Sequence, residues 1–278
     1  MTQFRPGGFQ VLPLVIKNLL IINGLVFLAQ TVLEQQGMGG ELMNLFALHH
    51  VQSPLFSPYQ LITHLFMHGD LGHIFFNMFA LWMFGSILEN LWGPKRFLIF
   101  YLACGLGAAV IHLGTIWIGF HQFLDTYALF KQNPSPEIFA QLYQDHLKGT
   151  GLGITARDVY DNWMNNPQMG YARSTEAMTI LEAYKQYTDY EPTIGASGAV
   201  FGCLAAFGYL FPNSYIYLYF FVPIKVKWFV LGYAAVELFM GLRNSAGDNV
   251  AHWAHLGGAL VGFLLVYFWN KTNRRTFY

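Results

Sequence analysis

Four polar side chains stand out inside strongly apolar stretches of the chain: His73, Asn77, Ser197 and His255. Polar groups are costly in such surroundings and mark the places to look for chemistry. Ser197 sits in Thr193-Ile194-Gly195-Ala196-Ser197-Gly198-Ala199. Pro192 and Gly195 mark a sharp entry into a helix there, so the hydroxyl is expected at a helix N-terminus beside free backbone N–H groups. Gly198 and Gly202 also suit plain helix packing. His255 lies about one turn into a later apolar run, on a small-residue face formed by Ala251, Ala254, Gly258 and Gly262. A neutral imidazole beside a serine hydroxyl is a general base; the alternative is a core histidine bonded to a backbone carbonyl.

His73 and Asn77 are four apart and share a helix face. Both donate hydrogen bonds, so the pair could stabilise an oxyanion, or Asn77 could serve only as glue between helices. His64, His68 and His73, with His252 and His255, raise a metal-dependent membrane oxygenase as a rival. The chain has no His-Glu-x-x-His signature. Unequal polar types, Ser with His with Asn, suit acyl transfer better than a metal shell.

The elements that must carry these residues are apolar helices. The 278 residues are 54% hydrophobic, 18% aromatic and only 11% charged. An ordinary soluble domain carries roughly 25% charge. Fifteen basic and fifteen acidic residues cancel, which excludes a basic nucleic-acid binder and a disordered chain. Six apolar segments are expected to span a bilayer: 12–32, 71–92, 97–120, 194–212, 224–242 and 250–270. No small-residue cleavage site follows the first, which is read as a retained span. The 33–70 stretch is expected at the interface, and 121–193 as a long loop with helical patterning near 137–147 and 174–187. Cys104 and Cys203 lie in apolar runs as packing residues.

Charge sets the orientation. Arg5, Lys17, Lys95, Arg96, Lys225, Lys227, Lys271, Arg274 and Arg275 share the side of both termini, while Arg243 alone falls in the opposite short loops. The positive-inside rule then puts both termini in the cytoplasm. Tyr215, Tyr217 and Tyr219 suit the cytoplasmic interface. Without a targeting segment, this compact plan points to a bacterial inner membrane.

The sequence resembles the rhomboid family of intramembrane serine proteases. The motifs are Thr63-His64-x-x-Met67-His68-x-x-x-x-His73-x-x-x-Asn77, Gly85-x-x-x-Glu89-x-x-x-Gly93, Gly195-Ala196-Ser197-Gly198 and Ala254-His255-x-x-Gly258-x-x-x-Gly262. The resemblance implies an all-α, polytopic six-helix bundle with no cofactor and no metal. Ser197 would be the nucleophile and His255 its base, a dyad with no acid. His73, Asn77 and the Ser197 backbone N–H would form the oxyanion hole, with Gly195 and Gly198 as supporting residues that let another backbone or helix approach closely. Phe201, where members often carry Tyr, would orient His255 by ring contact. Glu89 would tie helix ends together at the cytoplasmic side. The fifth span and outer loop, about 224–250, would gate transmembrane protein substrates arriving from the bilayer. Tyr59-Gln60 stands where many members carry Trp-Arg. A rhomboid-like protein that binds membrane clients without cleaving them is the alternative.

Overall fold

A computed structural model describes residues 8–218, 221–243 and 250–272. Arg5, Arg274 and Arg275 of the charge count, Tyr219, and residues 244–249 of the turn after the fifth segment lie outside the described residues. The chain begins with α1 (Leu14–Gln35) after Pro13. Glu89 caps that helix: Val15 and Ile16 each donate a backbone N–H to one of its two carboxylate oxygens at 2.9 Å. A buried carboxylate at a helix N-terminus satisfies donors that have no intrahelical partner.

The 33–70 stretch folds as α2 (Gly39–Phe46) and α3 (Gln60–Thr63), the latter running into a tight turn at His64–Phe66. Gln60 holds this stretch together from inside, at 0% exposure. Its amide nitrogen donates to the carbonyls of Asn44 and Leu55 at 3.1 and 2.9 Å, and its oxygen accepts from Ser57 N–H at 3.1 Å. α4 (Leu71–Ala80) follows, capped by Asp70, which accepts from His73 N–H at 2.8 Å. A wide turn at Leu81–Gly85 links it to α5 (Ser86–Trp92), so one apolar run crosses from Leu71 to Trp92.

α6 (Pro94–Gln132) has 39 residues. At 1.5 Å per residue it is about 58 Å long, nearly twice the roughly 30 Å of a bilayer core. The third expected span, 97–120, is therefore the first part of a longer helix, and 121–193 begins as helix rather than loop. α7 (Pro136–Leu142) and its turn Tyr143–Leu147, α8 (Gly153–Asn165) and α9 (Gly170–Tyr190) pack on the far part of α6. They enclose a core of their own, built on Phe123, Phe130, Phe139, Leu142, Trp163 and Leu181. We refer to this unit as the cap.

α10 (Ser197–Leu210) is the centre of the bundle, with every residue from Gly198 to Gly208 buried. A hairpin of β1 (Tyr215–Leu218) and β2 (Val222–Lys225) leads to α11 (Val226–Arg243), and α12 (His252–Thr272) ends the described chain. The hairpin is the only sheet among the described residues, and Tyr215 and Tyr217 lie on β1. Among the described residues, four helices are long and apolar enough to cross a membrane: Leu14–Gln35, Leu71–Trp92, Pro94–Gln132 and His252–Lys271. α10 is a shorter apolar helix of 14 residues. α11 carries Lys227, Glu237 and Arg243 among its 18 residues. The fold is an all-α polytopic membrane bundle.

α10 packs against α6 and α12 through missing side chains. A Cβ on Gly258 would overlap the Gly198 carbonyl oxygen, and one on Gly262 would stand 2.5 Å from the Gly202 carbonyl oxygen. On the other flank, a Cβ on Gly198 would collide with the Ala108 methyl. Close backbone approach of this kind is how helices gain van der Waals contact where lipid removes the hydrophobic drive.

Candidate active site

Ser197 is the first residue of α10. The segment ahead of it is tied to the rest of the molecule by backbone bonds: Leu48 and Thr193 exchange N–H···O bonds of 2.9 and 2.8 Å, and Gly195 N–H donates to the His64 carbonyl at 2.9 Å. Gly195 has φ +125°, a conformation L side chains rarely adopt. Space excludes a side chain there too, since a Cβ would lie 2.8 Å from His73 Nε2 and 3.5 Å from the Ser197 hydroxyl oxygen. The His73 ring and the Ser197 hydroxyl thus flank the same bare backbone position. Val200 N–H makes the helix's opening bond, to the Ala196 carbonyl at 3.0 Å. The N–H groups of Ser197, Gly198 and Ala199 are left outside the ladder.

His73 Nδ1 accepts a hydrogen bond from Gly69 N–H at 3.3 Å. A neutral imidazole that accepts at one nitrogen carries its proton on the other, so Nε2, the atom facing Gly195, is a donor. Gln30 of α1 fixes the approach to this helix by pairing with both backbone groups of His68, each at 3.1 Å. Asn77, one turn below His73 and buried, donates from its amide to the His73 carbonyl at 3.0 Å, which leaves its second N–H for another acceptor.

His255 lies in the first turn of α12. Its ring is stacked on Phe201, with centroids 4.2 Å apart and planes within 8°. Phe201 is one turn after Ser197 on the same helix, so the stack places the imidazole against the N-terminal part of α10. No hydrogen bond joins Ser197 to His255 among the described residues. Nδ1 of His255 faces Glu237 of α11, 3.0 Å from Oε2 but out of line for a hydrogen bond. His252 Nδ1 bonds the same oxygen at 2.6 Å. Behind Ser197 lies a cavity of about 10 Å³, lined by His64, His112, Thr193 and Gly198 among others, enough for roughly one water.

The structure therefore brings Ser197, His255, His73, Asn77, Gly195, Gly198 and Phe201 to one end of the bundle. Glu89 is at the other end, on α5, where it caps α1. His64, His68 and His73 are not gathered with a carboxylate; the His/Glu group within ligand spacing among the described residues is Glu237, His252 and His255. Glu237 escaped the sequence reading. An acid in the middle of an apolar span was itself the signal.

The chain matches the Rhomboid domain over residues 56–117 and 170–271. The stretch between these two parts, 118–169, holds the end of α6, α7, α8 and their connections. Over 266 residues it is 28% identical to RHOMBOID-like protein 12, mitochondrial, of Arabidopsis thaliana, covering 95% of this chain and 60% of that protein. A mitochondrial rhomboid protein of Schizosaccharomyces pombe is 26% identical over 285 residues, covering 96% of this chain and 69% of its own length. Rhomboid protease GluP of Bacillus subtilis is 36% identical over 52 residues, 19% of this chain and 10% of that protein. The two long matches are mitochondrial, so they lend no support to a bacterial inner membrane. Motif order, bundle and match together make this chain a member of the rhomboid family.

Proposed function

We propose that the protein is an intramembrane serine endopeptidase that cuts membrane proteins in or near their transmembrane segments. The observation that supports this is the stacking of the His255 imidazole on Phe201, one turn after Ser197 at the head of α10, with His73 and the Ser197 hydroxyl flanking Gly195. Ser197 attacks the scissile carbonyl while His255 takes its proton. The oxyanion is held by His73 Nε2–H, the free N–H of Asn77 and the Ser197 backbone N–H. His255 returns the proton to the leaving amine, and water releases the acyl group. The resting distance between base and nucleophile closes when substrate is bound, as catalytic hydrogen bonds often do.

The length of α10 supports chemistry inside the bilayer. Fourteen residues make about 21 Å, short of the roughly 30 Å hydrocarbon core. With its C-terminal end at the hairpin face, its first residue is recessed below the opposite face. The cap and the 33–70 stretch stand on that opposite side, and the nine-to-one basic count puts both termini on the cytoplasmic side, or the matrix side in a mitochondrion. The bacterial inner membrane expected from the sequence and a mitochondrial membrane both satisfy this topology.

The test is incubation of the purified protein with a panel of single-span proteins, with cut sites mapped by mass spectrometry. Wild type is expected to cleave at least one, while Ser197→Ala and His255→Ala leave all intact. Asn77→Ala should retain cleavage but lose about 10²–10³ in rate, the cost of one oxyanion donor. Full cleavage by Ser197→Ala would end the proposal, and a wild type that binds clients without cutting them would make it a client-binding family member.

A further inference from the structure

The imidazole of His255 is constrained on two sides. Phe201 fixes the plane of the ring. Glu237, whose Oε2 stands 3.0 Å from Nδ1, can fix its rotation within that plane. Glu237 is 4% exposed and lies in the middle of α11, on the run Val236-Glu237-Leu238-Phe239. A carboxylate buried in an apolar helix is expensive unless paired, and its ion-pair partners among the described residues are the two imidazoles of α12. His252 bonds Oε2 at 2.6 Å and so holds the oxygen in place.

We infer that Glu237 is a positioning residue for His255, converting the expected dyad into a Ser197–His255–Glu237 relay of contacts. This rests on the protease reading and extends it. A carboxylate at Nδ1 favours the tautomer with its proton on Nδ1, which leaves Nε2 as the acceptor a general base needs. When Ser197 gives its proton to Nε2, the Nδ1 proton stays on the ring and turns into line with Oε2. The carboxylate remains ionised and faces the new positive charge. The three side chains could also gather a cation, yet the separations of 2.6 and 3.0 Å are shorter than two ligands of one metal ion would keep. Two ligands of one tetrahedral zinc would stand roughly 3.3 Å apart, given bonds of about 2.0–2.1 Å.

The experiment uses the full chain in lipid, a cleaved transmembrane substrate, and a fluorophosphonate that labels active serines. Wild type is examined first. Failure to label or cleave sinks the protease reading and this inference with it. With an active wild type, Glu237→Gln should lower kcat on the order of 10²-fold, less than the roughly 10⁴-fold lost when a triad acid is neutralised. KM should stay within about twofold, and labelling of Ser197 should slow in parallel. Glu237→Asp, which keeps the charge, should recover most of the loss. Rates are referred to the folded fraction from size exclusion, with Glu237→Met as a second, apolar replacement. An unchanged kcat in Glu237→Gln, equal losses in Gln and Asp variants, a loss confined to KM, failure of both Gln and Met variants to fold, or activity abolished by chelators would each overturn the inference.

Discussion

Where α10 meets α12, backbone touches backbone: Gly258 lies on the Gly198 carbonyl and Gly262 on that of Gly202. Across the cap, Phe130, Phe139 and Trp163 meet as rings, with centroids 6.0–6.4 Å apart. Two solvents explain the contrast. Lipid tails are as apolar as the side chains facing them, so bundle helices gain by approaching closely through small residues. The cap carries Arg157, Asp161, Arg173, Glu176 and Lys185 on its outer helices, as a surface in water requires. It gains by hiding large rings from that water. The residues proposed to be catalytic sit on the glycine-packed part, where small shifts are least tolerated.

That contrast can be broken in order of expected effect. Gly258→Ala should disturb both stability and catalysis, because its methyl meets a backbone carbonyl that cannot turn aside. Overpacking there is expected to cost about 3 kcal/mol or more, read by thermal unfolding in lipid, with cleavage falling alongside. Phe139→Ala should cost the cap about 3–5 kcal/mol yet leave cleavage within about tenfold, since α10 and α12 do not touch it. Hydrogen exchange would show the loosening confined to 121–190, and an equal loosening of α10 would show the two units to be one.

The smallest effect is that of pH. Burial against Phe120 holds the His50 imidazole below its ordinary value of 6.5, outweighing the pull of Asp189 at 3.3 Å. Burial beside Phe123 and Tyr184 does the same to His146. Folded values below the ordinary one mean that unfolding of the cap, and of the His50 contact to Asp189 and Phe120 on it, takes up protons. The stability is whole above about pH 6.5 and drains away as pH falls. The cap should therefore melt earlier at about pH 5 than at about pH 7.5, read by thermal unfolding at the two pH values.

Much of the bundle was legible because lipid leaves few choices. Polar residues within apolar runs are rare, and the small face Ala251-Ala254-Gly258-Gly262 announced a helix pressed against a neighbour. The length of α6 was not, because hydropathy fades near His121 while helical periodicity continues through Phe123, Tyr127 and Phe130. α8 was missed for the same reason: polar surface masks a buried stripe of Ala156, Val159 and Trp163. The hairpin at 215–225 is too short for its alternation to stand out among aromatics. Gln60 could not be foreseen as a staple, since its partners at Asn44 and Leu55 come together only on folding. Glu237 was readable and was passed over because the family pattern supplies a dyad without an acid.

The central claim is that Ser197 is a nucleophile activated by His255. Its most direct measurement is mass spectrometry of the intact protein and its peptides after fluorophosphonate treatment in lipid. One adduct on Ser197 in wild type, with labelling slowed by at least about a hundredfold in His255→Ala, is the predicted result. An unlabelled Ser197, or labelling indifferent to the loss of His255, would contradict it.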